Sequence, residues 1–367
     1  MKTFVITSES EWEQWRAPWD ALTRANPMMS MEWLVAWWKQ YGAGQQLQIL
    51  ASTQDEQLLG VLPCFVQETA IGKKLRLIGS GAVSSDYLSA VVLGDRAAEV
   101  YTSMIQYIRQ SDLWGEFESV QFEGLTVDDP WTAHLAEFAQ AVGYSYRAQP
   151  MVNTWSLSLP SSWEELSKSQ KGRSVYRKAK KCKGRIDSGE IAIRELSSAN
   201  ELNEGMEHLV RLHQARRETL GDEGCFADQD FEAFLRSAIS GMLAKGTACF
   251  TFCETAGCVI SVQLLLMGAE KVFMYQSGVD PNYLELEPGH TAIVGGLENA
   301  IRKGFKEYDF LRGDEPYKAY WGAQPTPIQR IILAPPTFKA QTLEVVHRNL
   351  SWLKSYYNDL SGATPRR

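Results

Sequence analysis

The stretch of sequence from residue 248 to residue 314 decides the fold, because it contains four elements in a recognisable order. ACFTFCETAGCVISVQLLL (residues 248–266) is strand-like on both sides of a turn with Glu and Gly, which is typical of a hairpin. VFMYQSGVDPNYL (272–284) follows as a third strand, TAIVGGLENAIRKG (291–304) as a helix and KEYDFLRGD (306–314) as a further strand. A hairpin, a strand, a crossover helix and another strand predict a mixed α/β sheet flanked by helices.

An earlier stretch repeats this order element by element. LQILASTQDEQLLGVLPCFV (47–66) again predicts a hairpin, and LRLIGSGAVSSDYL (75–88) a third strand. AAEVYTSMIQYIRQ (97–110) has a helical pattern, and FESVQFEGL (117–125) is strand-like. Although few residues are identical, two copies of one order of elements predict an internal duplication.

The length of the chain agrees with a duplication. Its 367 residues exceed the usual size of one domain, about 100 to 200 residues. We therefore predict an N-terminal domain at residues 1–150, a second domain at 151–335 and a C-terminal helical segment at 336–367. Hydrophobic residues make up 44% of the chain and charged residues 22%, a composition that excludes disordered and fibrous proteins.

The composition also restricts the location and partners of the protein. The N-terminus has no basic segment followed by an apolar one, and no apolar run approaches the roughly 20 residues that span a bilayer. We therefore expect a cytoplasmic protein without a transmembrane segment. A net charge of -7 argues against a general nucleic-acid binder, so DNA is not an expected partner.

The cysteine residues indicate neither a disulfide framework nor a metal site. Six cysteines are too few for a disulfide scaffold in so long a chain, and no residues near the last three complete a zinc site. Cys249 and Cys253 lie four residues apart in a strand-like run and therefore share a face. We predict that both are buried thiols and that the protein binds no metal.

A helix that begins near Pro288 is a candidate binding site for an anion. Proline suits the first turn of a helix, and Gly304 lies where glycine commonly ends one. The first amides of a helix lack intrahelical partners, so a phosphate or pyrophosphate could bind there, and Gly289 would allow close approach. The competing interpretation is that this Pro-Gly pair only turns the chain.

The residues after the last strand, RGDEPYKAYW (312–321), are crowded with polar and aromatic side chains. Segments that leave the ends of strands commonly hold binding and catalytic groups in α/β proteins. This segment is therefore a candidate active site, and a salt-bridged surface loop is the alternative. On a preceding helix, His213 is spaced to share a face with Arg216 or Arg217, and a lone surface histidine is the alternative.

Two further features each allow two interpretations. A long helical stretch is predicted to begin near Ser162, with a capping box to Glu165, and it carries nine Lys or Arg residues between Lys168 and Arg185. These cations either contact an anionic acceptor or RNA phosphates, or they form a solvated face. Six tryptophans in the first 38 residues either stack on sugars or membranes or, as is commoner, build the core.

Several of these segments together resemble a known family. They are PGHTAIVGGLENAIRKGFKEYDFLRGDEPYKAYW (288–321), LVRLHQARRETLGDEGCFAD (209–228), SDYL (85–88) and MSMEWLVAWWKQYG (29–42). The sequence is similar to the CelD/BcsL-type acetyltransferases of the GNAT superfamily, which are related to the Fem-type transferases. The resemblance spans almost the whole chain and implies two tandem GNAT-like domains, the first of them degenerate.

The resemblance also implies roles for individual residues. Tyr317 follows the strand after which GNAT enzymes often place the acid that protonates the departing CoA thiolate. Asp314 or His213 would take the proton from the attacking amine. Pro288, Gly289 and His290 would bind the donor. The residues expected to bind the acceptor are Asp86, Tyr87, Arg216, Tyr275, Gln276, Arg312, Lys318 and Trp321.

One departure from the GNAT pattern bears on the donor. GNAT enzymes usually carry a Q/R-x-x-G-x-G/A loop before the crossover helix, whereas this chain has YLELEPGHTA (283–292). Acyl-CoA, usually acetyl-CoA, is still the expected donor, with an acyl carrier protein or aminoacyl-tRNA as alternatives. The expected reaction is acylation of an amine, such as an amino sugar of an exopolysaccharide or envelope precursor. The rival hypotheses are a Fem-like transferase that uses aminoacyl-tRNA and a noncatalytic accessory protein of polysaccharide synthesis.

Overall fold

The computed structural model describes residues 1–70, 72–169 and 171–336, and their strands form one 13-stranded sheet. Its order is β1-β2-β3-β4-β6-β13-β7-β12-β11-β10-β9-β8, with β5 paired to β3 beside this path. The strands of the first half are β1 (Lys2–Ile6), β2 (Gln46–Gln54), β3 (Gln57–Thr69), β4 (Gly72–Leu77), β5 (Val91–Val92), β6 (Ser119–Thr126) and β7 (Ser145–Ser158). Those of the second half are β8 (Ala192–Leu196), β9 (Ala248–Thr255), β10 (Cys258–Met267), β11 (Lys271–Val279), β12 (Glu307–Arg312) and β13 (Gln324–Ala334).

Helices cover both faces of this sheet. In the first half they are α1 (Glu9–Glu13), α2 (Arg16–Thr23), α3 (Met31–Tyr41), α4 (Ala97–Gln110) and α5 (Pro130–Val142). In the second half they are α6 (Trp163–Ser169), α7 (Ser174–Asp187), α8 (Leu202–Glu218), α9 (Gln229–Ala244), α10 (Pro288–Arg302) and α11 (Pro316–Tyr320). The predicted mixed α/β sheet flanked by helices is thereby confirmed.

The two halves repeat the predicted order of elements. Asp55 and Glu56 turn the β2–β3 hairpin, and Ala256 and Gly257 turn the β9–β10 hairpin. All four have positive φ angles, which matches the two-residue turns that suit the twist of a hairpin. Helix α4 connects the parallel strands β4 and β6, and α10 connects the parallel strands β11 and β12.

The halves are joined by an exchange of strands. β7 is the last strand of the first half along the chain, yet it pairs with β12 of the second half. β13 is the last described strand, yet it pairs with β6 of the first half, and β7 and β13 pair with each other at the centre. The predicted boundary between residues 150 and 151 falls inside β7. Each half completes its sheet with the last strand of the other half.

The tryptophan-rich N-terminal segment builds core. Trp12, Trp19, Trp33, Trp37 and Trp38 are buried, which confirms the core interpretation. Helix α3 packs against α9 of the second half, and the ring of Trp33 meets that of Phe234 edge-on at 4.9 Å. The largest apolar cluster therefore contains residues of both halves.

Three other predictions have separate outcomes. The single helix expected from Ser162 is wrong, because the chain turns at residues 171–173 between α6 and α7. Ser162 does cap α6 through the amide of Glu165, although the Glu165 carboxylate accepts from Ser161 instead of Ser162. Cys249 and Cys253 are buried as predicted. The helical segment expected at residues 336–367 lies outside the described residues except for Pro336.

No helix in the described part of the chain combines the length and apolar character needed to cross a bilayer.

A buried polar network joins the loop at residues 85–87 to the end of β12. The guanidinium of Arg312 donates to the Asp86 carboxylate at 2.5 Å and to the Ser85 carbonyl at 2.7 Å. The Tyr87 hydroxyl donates to the Asp309 carboxylate at 2.6 Å. Asp86 and Asp309 are both fully buried, so each depends on these donors. The Arg312 guanidinium thus pairs with Asp86 from the other half, and not with Asp309 of its own strand.

Replacing Asp86 tests the weight of this network. Asp86→Ala leaves the Arg312 guanidinium without its buried carboxylate, so we expect the free energy of unfolding to fall by about 3 kcal/mol. Urea denaturation measures the change. Glu99→Ala is the control, because Glu99 pairs with Arg96 on the surface and its loss should leave stability nearly unchanged. Equal losses in the two variants would contradict a special role for the network.

Asp309 gives the network a pH dependence. Burial raises the pKa of this carboxyl to about 6, so the folded protein binds its proton more tightly than the unfolded chain does. Stability relative to Asp309→Asn should therefore fall by up to about 3 kcal/mol as the pH rises from about 4 to 7. Denaturation of both proteins across this range is the measurement. A difference independent of pH would show that Asp309 keeps its charge when buried.

Candidate active site

The sheet opens between β11 and β12. These parallel strands pair only from Lys271 to Phe273, opposite Glu307 to Asp309, although β11 continues to Val279. The register of β11 with β10 also shifts, because Leu264 faces Gln276 whereas Leu265 faces Met274. Tyr275 is the extra residue of this β-bulge. Beside the unpaired end of β11 lies a cavity of about 530 Å³, lined by residues of β10, β11 and α10 together with Tyr317.

The cavity contains five of the residues predicted for the site. Pro288, Gly289 and His290 of α10, Tyr317 of α11 and Arg216 of α8 all line it. Strand β11 contributes Met274, Ser277 and Val279 to the same lining. The structure thus brings together the predicted donor-binding residues and the predicted acid.

The start of α10 is shaped for close approach by a ligand. Pro288 is the first helical residue, as predicted, and no side chain caps the helix. A Cβ atom added at Gly289 would lie 3.4 Å from the Val279 side chain, so this position tolerates a small group but faces the cavity lining. An uncapped helix start with a glycine can bind an anion through its backbone amides.

The Glu287 carboxylate neutralises part of the basic helix beside this start. Lys178 pairs with Glu287, and Lys181 and Arg185 approach the same carboxylate at 3.3 and 3.7 Å. The Lys178 hydrogen bond is the main reason that the pKa of Glu287 is lowered. Lys178 also lines the cavity, so the basic helix is in part an internally paired element and in part a wall of the site.

Tyr317 is held as a neutral phenol. Burial raises its pKa far above the ordinary value, with a further contribution from the Glu315 carboxylate. Its ring packs edge-on against Phe310 at 5.9 Å, which orients the side chain from the end of β12. A hydroxyl that keeps its proton at neutral pH can donate a hydrogen bond to a group that develops negative charge, such as a departing thiolate.

His290 is a neutral imidazole in the cavity wall. The indole of Trp321 donates to its Nδ1 at 3.2 Å, so the neutral ring carries its proton on Nε2. Burial lowers the pKa of His290, and the nearby Lys178 ammonium lowers it further. The ring is therefore a hydrogen-bond donor through Nε2 and has no free basic nitrogen.

Other predicted site residues lie outside the cavity lining and make structural contacts. The Lys318 ammonium is buried and donates to the carbonyls of Leu311 and Arg312 at 3.1 and 2.7 Å. Trp321 is buried and orients His290, and the Tyr275 hydroxyl donates to the Val83 carbonyl at 2.7 Å. Asp86, Tyr87 and Arg312 form the polar network between the halves, and the Gln276 side chain donates to the Cys225 sulfur.

The two candidate bases differ sharply in environment. Asp314 is exposed and accepts from Asn153 at 2.8 Å and Trp155 at 3.0 Å, and the first of these hydrogen bonds lowers its pKa. His213 is only 3% exposed, so the surface interpretation of this residue is wrong. Burial lowers the pKa of His213 and keeps the ring neutral.

Cys225 was missed by the sequence analysis. Its Sγ lies 3.4 Å from His213 Nε2 and 3.2 Å from the Gln276 amide nitrogen. The three residues come from α8, the 3₁₀ turn Cys225–Ala227 and β11. Only the spacing of His213 and Cys225 in one predicted segment could have indicated this contact.

Among the described residues, no group of three or more His, Cys, Asp or Glu side chains is placed to hold a metal ion.

Comparisons with known proteins agree with this fold. Residues 169–319 match the model of the acetyltransferase (GNAT) domain. The chain superposes on the crystal structure of FemX with a TM-score of 0.63 at 11% identity, covering 90% of this chain and 97% of that one. A conserved protein of unknown function from Bacteroides thetaiotaomicron superposes with a TM-score of 0.55 at 11% identity, covering 90% and 100%. No curated protein matches the chain.

At such low identity the superpositions show a shared fold and carry no statement about the reaction. The residues that line the cavity beside β11 all lie within the segment that matches the GNAT model. The chain therefore has a tandem GNAT-like α/β fold whose second half carries the match to the GNAT acetyltransferase domain.

Proposed function

We propose that the protein is an N-acyltransferase that moves an acyl group from a thioester, acyl-CoA, to an amine. The observation that supports this most directly is one cavity with an uncapped helix start at Gly289 and a protonated Tyr317 hydroxyl. The helix start suits an anionic donor, and the hydroxyl suits a thiolate leaving group. The match of residues 169–319 to the GNAT domain supports the same reaction class.

In this proposal the pyrophosphate of the donor binds at the first turn of α10, beside the Lys178–Glu287 pair. The thioester then lies in the opening between β11 and β12. The amine attacks the carbonyl carbon, the carbon–sulfur bond breaks, and Tyr317 protonates the leaving thiolate. His290 offers its Nε2 proton as a hydrogen bond to the developing negative charge.

The choice of base follows from the environments of Asp314 and His213. A lowered pKa makes Asp314 a weak base, and its carboxylate is already occupied by Asn153 and Trp155. The neutral His213 ring is the stronger candidate, and Arg216, one turn further along α8, lines the cavity. We therefore assign His213 to the proton transfer.

An amino sugar of an exopolysaccharide or envelope precursor remains the proposed acceptor. This assignment comes from the resemblance to the CelD/BcsL-type family. Arg216 and Lys178 both line the cavity, and their charges suit an acceptor that carries phosphate, such as a nucleotide sugar or a lipid-linked pyrophosphate.

A Fem-like transferase that uses aminoacyl-tRNA is the second candidate. The superposition on FemX covers nearly all of both chains and therefore favours it as a specific alternative. Several cations of α7 could contact RNA phosphates. Binding of charged tRNA with a steep salt dependence, together with no binding of CoA, would select this candidate.

Gly289→Val tests the donor site. The added side chain obstructs close approach to the start of α10, so the affinity for acetyl-CoA should fall at least about tenfold while the fold persists. Calorimetric titration of acetyl-CoA measures the affinity. Gly184→Val is the matched control, because a Cβ at this α7 position meets open space and its affinity should be unchanged. Equal affinities in both variants would remove α10 from the donor site.

Tyr317→Phe tests the proposed acid. A positioned acid contributes about 10² to 10⁴ in rate, so kcat should fall within that range while acetyl-CoA still binds. Tyr320→Phe is the control, because Tyr320 packs near His290 but does not line the cavity. Steady-state kinetics measure kcat, and equal thermal unfolding midpoints of the variants and wild type show that the fold is intact. Near-normal kcat in Tyr317→Phe would leave protonation of the thiolate to solvent.

A further inference from the structure

A thiol and an imidazole form a hydrogen-bonded pair beside the cavity. Cys225 is half-buried at the 3₁₀ turn between α8 and α9, and its Sγ lies 3.4 Å from His213 Nε2. The other described cysteines are the buried Cys64, Cys182, Cys249 and Cys253 and the exposed Cys258. Within the described part of the chain, none of these cysteines contacts an imidazole, so the Cys225 thiol has a distinct environment.

The hydrogen bonds of His213 fix the direction of the pair. Nδ1 lies 3.1 Å from the carbonyl of Ser277, and a carbonyl can only accept, so Nδ1 carries the proton. The neutral ring therefore presents Nε2 as an acceptor, and the Cys225 thiol donates to it. A nucleophile, a base and a third group that orients the base are the parts of an activated nucleophile.

Gln276 completes the surroundings of the sulfur. Its side-chain amide donates to Sγ at 3.2 Å, and its own oxygen accepts from the Ser277 amide at 3.1 Å. The oxygen is thereby fixed away from the thiol, and the donor nitrogen faces the sulfur. An N–H group directed at sulfur stabilises the thiolate that forms when His213 removes the proton.

The pair adjoins the proposed site of acyl transfer. Ser277, whose carbonyl orients His213, also lines the cavity, and so does Arg216, which lies one turn beyond His213 on α8. The imidazole is thus attached through β11 and α8 to two walls of the cavity. In the direct mechanism His213 would need a free Nε2 for the amine, whereas here that nitrogen faces the Cys225 thiol.

From this geometry we propose that Cys225 is a nucleophile that takes the acyl group from the donor and passes it to the amine, with His213 as its base. The inference rests on the proposed acyltransferase function and replaces direct transfer by two steps through an S-acyl-Cys225 intermediate.

Each step balances. In the first, Sγ bonds to the carbonyl carbon, Nε2 of His213 takes the thiol proton, and the bond from carbon to the donor sulfur breaks. Tyr317 protonates the departing thiolate and regains a proton from the imidazolium through solvent. In the second, the amine nitrogen attacks the acyl carbon and Sγ leaves. His213 carries the amine proton to Sγ, which restores the thiol and releases the amide.

The test uses the full chain and acetyl-CoA without an acceptor. We expect rapid release of one equivalent of free CoA and a single acetyl group that peptide mass spectrometry locates on Cys225. Cys225→Ala should abolish both, and Cys225→Ser should remove the thioester while it preserves a side chain of similar size. Cys258→Ala is the matched control, because this exposed thiol lacks a histidine partner among its described contacts, and it should behave like wild type.

His213→Gln removes the proposed base and leaves the Cys225 thiol in place. Burial raises the pKa of the Cys225 thiol to about 11, so without a base acetylation should become slow at neutral pH and rise steadily with pH. Arg217 and Asp222 also influence the charge at this thiol, but they pair with each other at 3.1 Å and are retained in the variant. A variant rate with the same pH profile as wild type would contradict His213 as the base.

Two results distinguish failure of this inference from failure of the proposed function. If wild type binds acetyl-CoA but neither releases CoA in a burst nor acquires an acetyl group, and Cys225→Ala keeps its transfer rate, the acyl group moves directly and the inference is overturned. If wild type does not bind acetyl-CoA in calorimetry, the acyl-CoA function itself is overturned, and the inference falls with it.

Discussion

The bend at the end of β12 is the constraint on which the site depends. Leu311 has a φ of 58°, an unusual value for a side chain of this kind, and the register with β7 shifts between Asp309 and Arg312. A strand that leaves its ladder exposes carbonyl groups, and buried carbonyls need donors. The Lys318 ammonium supplies them for Leu311 and Arg312, so the segment can diverge from β11 without buried carbonyls that lack a partner.

The same bend explains why the geometry of the cavity depends on the first half of the chain. Asp86 accepts hydrogen bonds from both the backbone amide and the guanidinium of Arg312. The Tyr87 hydroxyl donates to Asp309, which precedes Arg312 on the same strand. The exchange of β7 and β13 adds a continuous ladder between the halves. The first half thus acts as a support for the geometry of the second.

Burial keeps three ionisable side chains of the site neutral. It raises the pKa of Tyr317 and lowers the pKa values of His290 and His213, so the three side chains are neutral together near pH 7. A neutral acid and a neutral base can exchange protons during a reaction without a buried charge at rest. The hydrogen bonds of the two histidines then divide their roles, since Trp321 occupies the basic nitrogen of His290 whereas Cys225 donates to that of His213.

The sequence by itself determined the elements and their order. Alternation and helical spacing predicted both hairpins, both crossover helices and the start of α10 at Pro288, because these patterns report contacts of a few residues along the chain. The tryptophans of the N-terminal segment were predicted as core for the same reason.

Only the tertiary structure decided which polar side chains meet. Asp86 and Arg312 are 226 residues apart, and Lys318 serves two carbonyls that become available only when β12 bends. The contact of Cys225 with His213 depends on where α8 ends and on how β11 presents Ser277 and Gln276. Such contacts are set by how distant segments cross in the folded sheet, and local sequence patterns carry no record of that crossing.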